Sequence, residues 1–98
     1  MAGLPHPIIT LLTDFGTADG YVAEMKGVLL SLAPDAHLVD ISHEVPPQDV
    51  MRARLTVSRY WRRFPPCTVH LVVVDPGVGT ARAALAVASE GRFLVGPD

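Results

Sequence analysis

Residues 72–82 read Val-Val-Val-Asp-Pro-Gly-Val-Gly-Thr-Ala-Arg. An apolar run ends in a carboxylate, Asp75, and Arg82 follows after a turn built from Pro76, Gly77 and Gly79. A carboxylate at the C-terminal end of a buried strand stands where open α/β sheets hold their ligands. Glycine lets the backbone approach such a ligand closely. An arginine folded back over the turn keeps the carboxylate ionised and aimed. The chemistry is that of a carboxylate that orients a polar hydrogen or takes a proton. The plainer reading is a strand end with a surface ion pair.

A second stretch has the same form. Pro7 to Thr13 is apolar and β-branched, and Asp14-Phe15-Gly16-Thr17 follows it. Parallel strands gather their C-terminal ends on one side, so Asp14 and Asp75 are expected to face one crevice. Asp19 either joins them or caps the helix that follows. Asp40, between Val39 and Ile41, reads as a structural hydrogen-bonding partner. His43, in the next loop, reads as solvated or hydrogen-bonded. His6, His37, His70 and Cys67 have no metal-ligand spacing, so no metal site is expected. Gly77 to Arg82 has G-x-G but leads into a strand and lacks the third glycine of a dinucleotide loop. Acidic groups at the rim suit a ribose diol or a cationic ligand better than a phosphate.

These residues need a scaffold. Pro7 to Thr13 predicts a strand buried on both faces. Val22, Met25, Leu29 and Leu32 predict a helix with one apolar stripe, capped by Thr17 or Asp19 and stopped at Ala33-Pro34-Asp35. His37 to Ile41 predicts a second strand and Ser42 to Pro47 a loop. A second helix opens with Pro47 in its first turn and shows Val50, Ala53, Val57, Tyr60 and Phe64 on its apolar face. Arg52, Arg59, Arg62 and Arg63 read as a solvated basic face of that helix. Thr68 to Val74 is the third strand. Ala83 to Ser89 and Arg92 to Val95 form a hairpin that turns at Glu90-Gly91. The expected order is β-α-β-α-β plus a hairpin, an α/β fold with a mostly parallel sheet and right-handed crossovers.

Composition bounds the rest. The 98 residues are 49% apolar and 18% charged, which is globular. A net charge of −2 argues against a nucleic-acid partner. One cysteine, Cys67, makes no intrachain disulfide and fits a reducing compartment. No apolar run approaches the ~20 residues of a membrane helix, and the N-terminus lacks a secretory pattern. The expectation is a cytoplasmic protein without a membrane partner. The end at Gly96-Pro97-Asp98, just after a strand, suggests a fragment.

Thr13-Asp14-Phe15-Gly16-Thr17-Ala18-Asp19, followed by Tyr21-Val22 and Met25-Lys26-Gly27, resembles the N-terminal motif of the S-adenosyl-L-methionine (SAM) hydroxide adenosyltransferases, relatives of the fluorinases and chlorinases. Asp40-Ile41-Ser42-His43 and Val74-Asp75-Pro76-Gly77-Val78-Gly79-Thr80 match in order and spacing, and Gly96-Pro97-Asp98 resembles the start of a further block. The resemblance spans residues 8–98.

It implies a three-layer α/β/α domain, of which residues 1–98 would be a partial N-terminal SAM-binding part, followed in the family by a β-barrel domain and assembled as a homotrimer. It implies hydrolysis of SAM to adenosine and L-methionine, with SAM as substrate and no cofactor. Asp14 would hold the ribose hydroxyls and Asp19 would lie near the methionine end. Asp75 and Arg82 would position the attacking water. A histidine of that set lies beyond residue 98 in the family, so the 98 residues alone are expected to be inactive. Halogenases carry a different residue at the position of Asp75 and a long insertion where Glu90-Gly91 stands here. The alternatives are a SAM-dependent halogenase and a non-catalytic nucleoside-binding module.

Overall fold

The computed structural model describes residues 6–74 and 84–97. Its elements run β1 (Ile8–Thr13), α1 (Tyr21–Leu32), β2 (His37–Ser42), α2 (Val50–Tyr60), β3 (Val69–Val73), β4 (Ala84–Ser89) and β5 (Arg92–Pro97), with a 3-10 turn at Trp61–Arg63 after α2. The five strands form one sheet in the order β2-β1-β3-β5-β4. The pairs β1–β2, β1–β3 and β3–β5 are parallel, and β4 returns antiparallel to β5. This is the α/β arrangement expected from the alternation of apolar runs and helical stripes.

β1 lies inside the sheet, between β2 and β3, and its residues are apolar or β-branched on both faces. Thr10, Leu11, Leu12 and Thr13 are fully buried. The direction of winding reverses at β1: the first crossover steps to one side and the second steps back across it. Two right-handed crossovers in opposite directions leave their helices on opposite faces of the sheet. The contacts agree. Lys26 of α1 reaches Asp40, which is in register with Leu11. Ala53 of α2 packs with Leu12, Val45 and Val74 on the other face.

Local chemistry corrects two expected helix starts. α1 is not capped by Thr17 or Asp19; its N-cap is Gly20 in the left-handed region (φ 79°), with no side-chain cap. A glycine adopts that turn without a Cβ clash, and the first helical bond is Glu24 N–H to Gly20 O at 3.0 Å. α2 does not begin around Pro47. Pro46 to Asp49 form a turn closed by Asp49 N–H to Pro46 O, and Asp49 caps the helix by accepting Arg52 N–H at 2.9 Å. The apolar stripe of α1 is half-buried at Val22, Met25 and Leu29, whereas Leu32 is exposed.

The hairpin turns at Glu90 (φ 50°) and Gly91 (φ 77°), two left-handed residues that match the twist of the strands they join. Arg92 fixes the hairpin to the end of the α2 region. Its guanidinium donates to the carbonyls of Phe64 (2.9 Å), Glu90 (2.9 Å) and Arg62 (3.2 Å). Arg52, Arg59, Arg62 and Arg63 are all exposed, as expected of a solvated face. Among the described residues no helix is long and apolar enough to cross a membrane.

Candidate functional site

Asp14 follows β1 directly, so its position is set by the most buried strand of the sheet. Its backbone N–H reaches Val73 O at 3.4 Å, which places it beside the end of β3. Its carboxylate Oδ2 accepts the backbone N–H of Gln48 at 2.9 Å. Gln48 has φ 64°, a conformation that a non-glycine residue adopts at a cost. That left-handed turn, closed over Pro46 and Pro47, is what aims the amide at Asp14. Among the described residues Oδ1 of Asp14 has no donor, and the residue is half-buried. The Gln48 amide thus fixes one oxygen of the carboxylate.

The loop after β1 is joined to the loop after β2 by a second set of bonds. Gly16 N–H donates to His43 O at 2.7 Å. The His43 ring bonds Thr13 Oγ1 through Nδ1 (2.8 Å) and Asp40 Oδ1 through Nε2 (2.7 Å). Thr13 Oγ1 also accepts Phe15 N–H at 3.2 Å. Asp40 Oδ2 accepts Lys26 Nζ at 2.7 Å. The Lys26 ammonium, and then His43, hold the Asp40 carboxyl below the usual carboxylate range.

Residues 40 and 43 would point to opposite faces of a regular strand. They share a face here because the register slips between Leu11 and Leu12, where Leu11 pairs with Asp40 but Leu12 pairs with Ser42. One extra residue in β2 turns His43 back toward Thr13, the re-aiming that a bulge provides. His43 is therefore buried and hydrogen-bonded rather than solvated.

Sequence reasoning singled out Asp14, Asp19, Asp75 and Arg82. Asp14 lies at the strand-end rim, with its carboxylate oriented. Asp19 is exposed in the loop before α1 and makes no cap. Asp75 and Arg82, with the turn of Pro76, Gly77 and Gly79, lie outside the described residues, as does Asp98. Sequence reasoning missed Gln48, whose contribution is a backbone amide, and the joint reach of Thr13, His43, Asp40 and Lys26. The Pro46-Pro47-Gln48-Asp49 run was the one available sign of a constrained turn.

A groove of about 400 Å³ lies elsewhere, between α2 and the hairpin. Val57, Val72, Val87 and Leu94 line it, and Arg54 and Ser58 supply polar groups at its wall. It does not include Asp14. An apolar sheet face with few polar groups does not orient a polar substrate, so the chemistry is assigned to the strand-end rim.

Residues 9–98 match the family described as the SAM hydroxide adenosyltransferase N-terminal domain. The chain is 49% identical over 94 residues to an (R)-S-adenosyl-L-methionine hydrolase of Salinispora tropica, covering 96% of this chain and 36% of that protein. It is 37% identical over 82 residues to a fluorinase of an Actinoplanes species, covering 84% of this chain and 28% of that protein. A crystal structure of an uncharacterized conserved protein from Thermotoga maritima superposes with a TM-score of 0.85 at 42% identity, covering 91% of this chain and 35% of that one. The chain thus spans about a third of the length of the relatives it matches.

Proposed function

The chain belongs to the SAM hydroxide adenosyltransferase family, and from that premise we propose that it supplies the ribose-binding loop and the water-positioning turn of an enzyme that hydrolyses SAM to adenosine and L-methionine. The observation that carries the reading is the oriented carboxylate of Asp14. With Oδ2 fixed by Gln48 N–H, the group stands ready to accept hydroxyl hydrogens of a vicinal diol.

In the proposed reaction, a water oxygen forms a bond to C5′ while the C5′–S bond breaks. The electron pair goes to sulfur, which leaves as the neutral thioether of methionine. The sulfonium charge is discharged, and one proton of the water is released. A neutral thioether needs no general acid, so catalysis falls on the nucleophile. Asp75 orients the water and takes its proton, an effect typically near 10²–10⁴-fold. Arg82 holds Asp75 and steadies charge developing on the oxygen. Asp19 lies toward the methionine end. The family resemblance supports these three assignments.

The hydrolase reading is favoured over the halogenase reading by the hairpin. Glu90 and Gly91 make a two-residue turn with no insertion between β4 and β5. The higher identity to a protein named a hydrolase points the same way.

The test is product analysis on a protein of the relatives' full length that carries this chain. It is incubated with SAM, with and without chloride or fluoride, and the nucleosides are separated by chromatography. Adenosine in every condition is the expected result. A 5′-halo-adenosine would overturn the hydrolase reading in favour of halogenation, and binding of SAM without turnover would leave a nucleoside-binding module.

A further inference from the structure

We propose that His43 is the positioning residue of the Asp14 loop, its ring donating from Nε2 to Asp40 and accepting at Nδ1 from Thr13. The inference starts from donors and acceptors. Asp40 is held ionised by Lys26 at 2.7 Å, so it only accepts hydrogen bonds. The His43 nitrogen facing it, Nε2 at 2.7 Å, must then carry a hydrogen. Thr13 Oγ1 accepts Phe15 N–H, which leaves its own hydrogen to give. The acceptor within reach is Nδ1 of His43 at 2.8 Å. Every donor is used once, and the chain of bonds runs one way: Phe15 amide, Thr13 hydroxyl, His43 ring, Asp40 carboxylate. Lys26 closes it from α1.

The arrangement has the members of a hydroxyl-imidazole-carboxylate triad but not its exposure. Thr13 is fully buried at the end of β1, and its oxygen is tied to Phe15 N–H. No substrate reaches that oxygen, so nucleophilic attack by Thr13 is not its task. What the network does is fix residues on both sides of Asp14. Thr13 precedes Asp14 and is held by the ring. Phe15 follows it and is held through Thr13. Gly16 is held by the backbone carbonyl of the same histidine at 2.7 Å. The residue whose carboxylate must meet a ligand is thus clamped before and after by one residue of the loop after β2, through its ring and its backbone carbonyl. Such support for a ligand-binding group is needed because small displacements of an oriented donor or acceptor cost binding and rate.

The ligand part of this inference rests on the ribose role of Asp14; the positioning part does not. Two readouts separate them. The first is amide hydrogen exchange, with nitrogen-15 shifts of the His43 ring, in the wild type, His43→Ala and His43→Asn. The asparagine Oδ1 stands where Nδ1 stands and can accept from Thr13. We expect Phe15, Gly16 and Gln48 amides in His43→Ala to exchange about tenfold faster or more, with Leu11 and Leu71 unchanged, since the loop opens locally while the sheet holds. His43→Asn should restore Phe15 to within about threefold of wild type. The wild-type ring should show Nδ1 as the acceptor and Nε2 as the donor.

Equal protection of Phe15 and Gly16 in the wild type and His43→Ala would overturn the proposal, as would a proton on Nδ1. If His43→Ala loses the Leu11 and Leu71 amides as well, the asparagine variant and the ring signals decide. The second readout is SAM affinity of the same proteins by calorimetry, with about a tenfold or greater loss expected in His43→Ala. A loosened loop with unchanged affinity would leave the positioning role standing and overturn the ribose role of Asp14.

Discussion

The carboxylate of Asp14 is fixed by a backbone amide 34 positions away, that of Gln48, at 2.9 Å. A backbone donor has no rotamers to lose, so it orients the carboxylate at low entropic cost. The cost is instead stored in the left-handed turn at Gln48 (φ 64°).

Two substitutions at Gln48 should therefore act in opposite ways. Gln48→Gly keeps the amide and relieves the Cβ strain, so stability should change by less than about 1 kcal/mol and SAM affinity should stay. Gln48→Pro removes the donor and forbids the positive φ, at a cost of about 1.5–3 kcal/mol for a bond to a charged group, with weaker SAM binding. Denaturant unfolding and calorimetry of the two variants give the comparison. Equal behaviour would show that the amide does not hold Asp14.

Asp75→Asn should separate binding from chemistry in a full-length protein. The amide cannot take a proton, so kcat should fall by about 10²–10⁴. SAM affinity should change little, since the proposed partner of Asp75 is the water. Single-turnover rates and equilibrium binding test this together. Unchanged turnover would remove Asp75 from the reaction.

The succession of elements along the chain and the fold class were legible in the sequence because β-branched runs alternate with a 3.6-residue stripe and are punctuated by Pro34, Pro65-Pro66 and Gly91. The place of Asp14 at the end of β1 was legible for the same reason. The start of α1 was not, because Thr17 and Asp19 are good caps and the geometry goes instead to Gly20. The site of Gln48 was hidden because glutamine carries no preference for a left-handed turn. The link from His43 to Asp40 was hidden by the bulge between β1 and β2, since the odd spacing of the two residues predicts opposite faces. Only the tertiary register reverses that expectation.

His70 should make stability depend on pH. It is buried, donating through Nε2 to Trp61 O at 3.0 Å and bonding Thr10 Oγ1 through Nδ1 at 2.7 Å. Burial, with Arg92 adding to it, pushes the imidazole below its ordinary value of 6.5, against the Trp61 bond. The folded state therefore binds fewer protons than the unfolded one in this range. Stability is present above about 6.5 and declines as pH falls through the depressed folded value. Thermal midpoints measured between pH 7.5 and 5 should drop, with a shallower drop in His70→Asn. An identical slope in both proteins would assign the dependence to other groups.

Arg92 should matter more than an arginine outside the core ordinarily does. Three carbonyls converge on its guanidinium, from Phe64, Glu90 and Arg62. Arg92→Met keeps the stem and leaves these acceptors without their charged donor, at a cost of about 1.5–3 kcal/mol. Arg92→Lys presents a point charge in place of a fork and should recover at most about half of that. The contrast is read from urea midpoints, and a lysine variant as stable as the wild type would show that geometry is not the cause.

Gly96 should tolerate no side chain. It lies on β5 beside β3, and a Cβ built there would meet the backbone oxygen of Val72 at 2.6 Å. The obstacle is a backbone atom of a paired strand, so no rotamer change relieves it. Either β5 moves away from β3 or the pairing of Leu71 with Val95 weakens. Overpacking of this kind costs about 1–3 kcal/mol. Gly96→Ala should lower the denaturant midpoint by that amount and speed exchange of the β5 amides before those of β1. Because β5 joins the hairpin to the parallel sheet, loosening should stay on the β4–β5 side while the Phe15 and Gln48 amides keep their protection. A Gly96→Ala protein of unchanged stability would mean that the two strands are not held at this separation. Simultaneous loss of the β1 amides would mean that the sheet unfolds as one unit and the hairpin has no stability of its own.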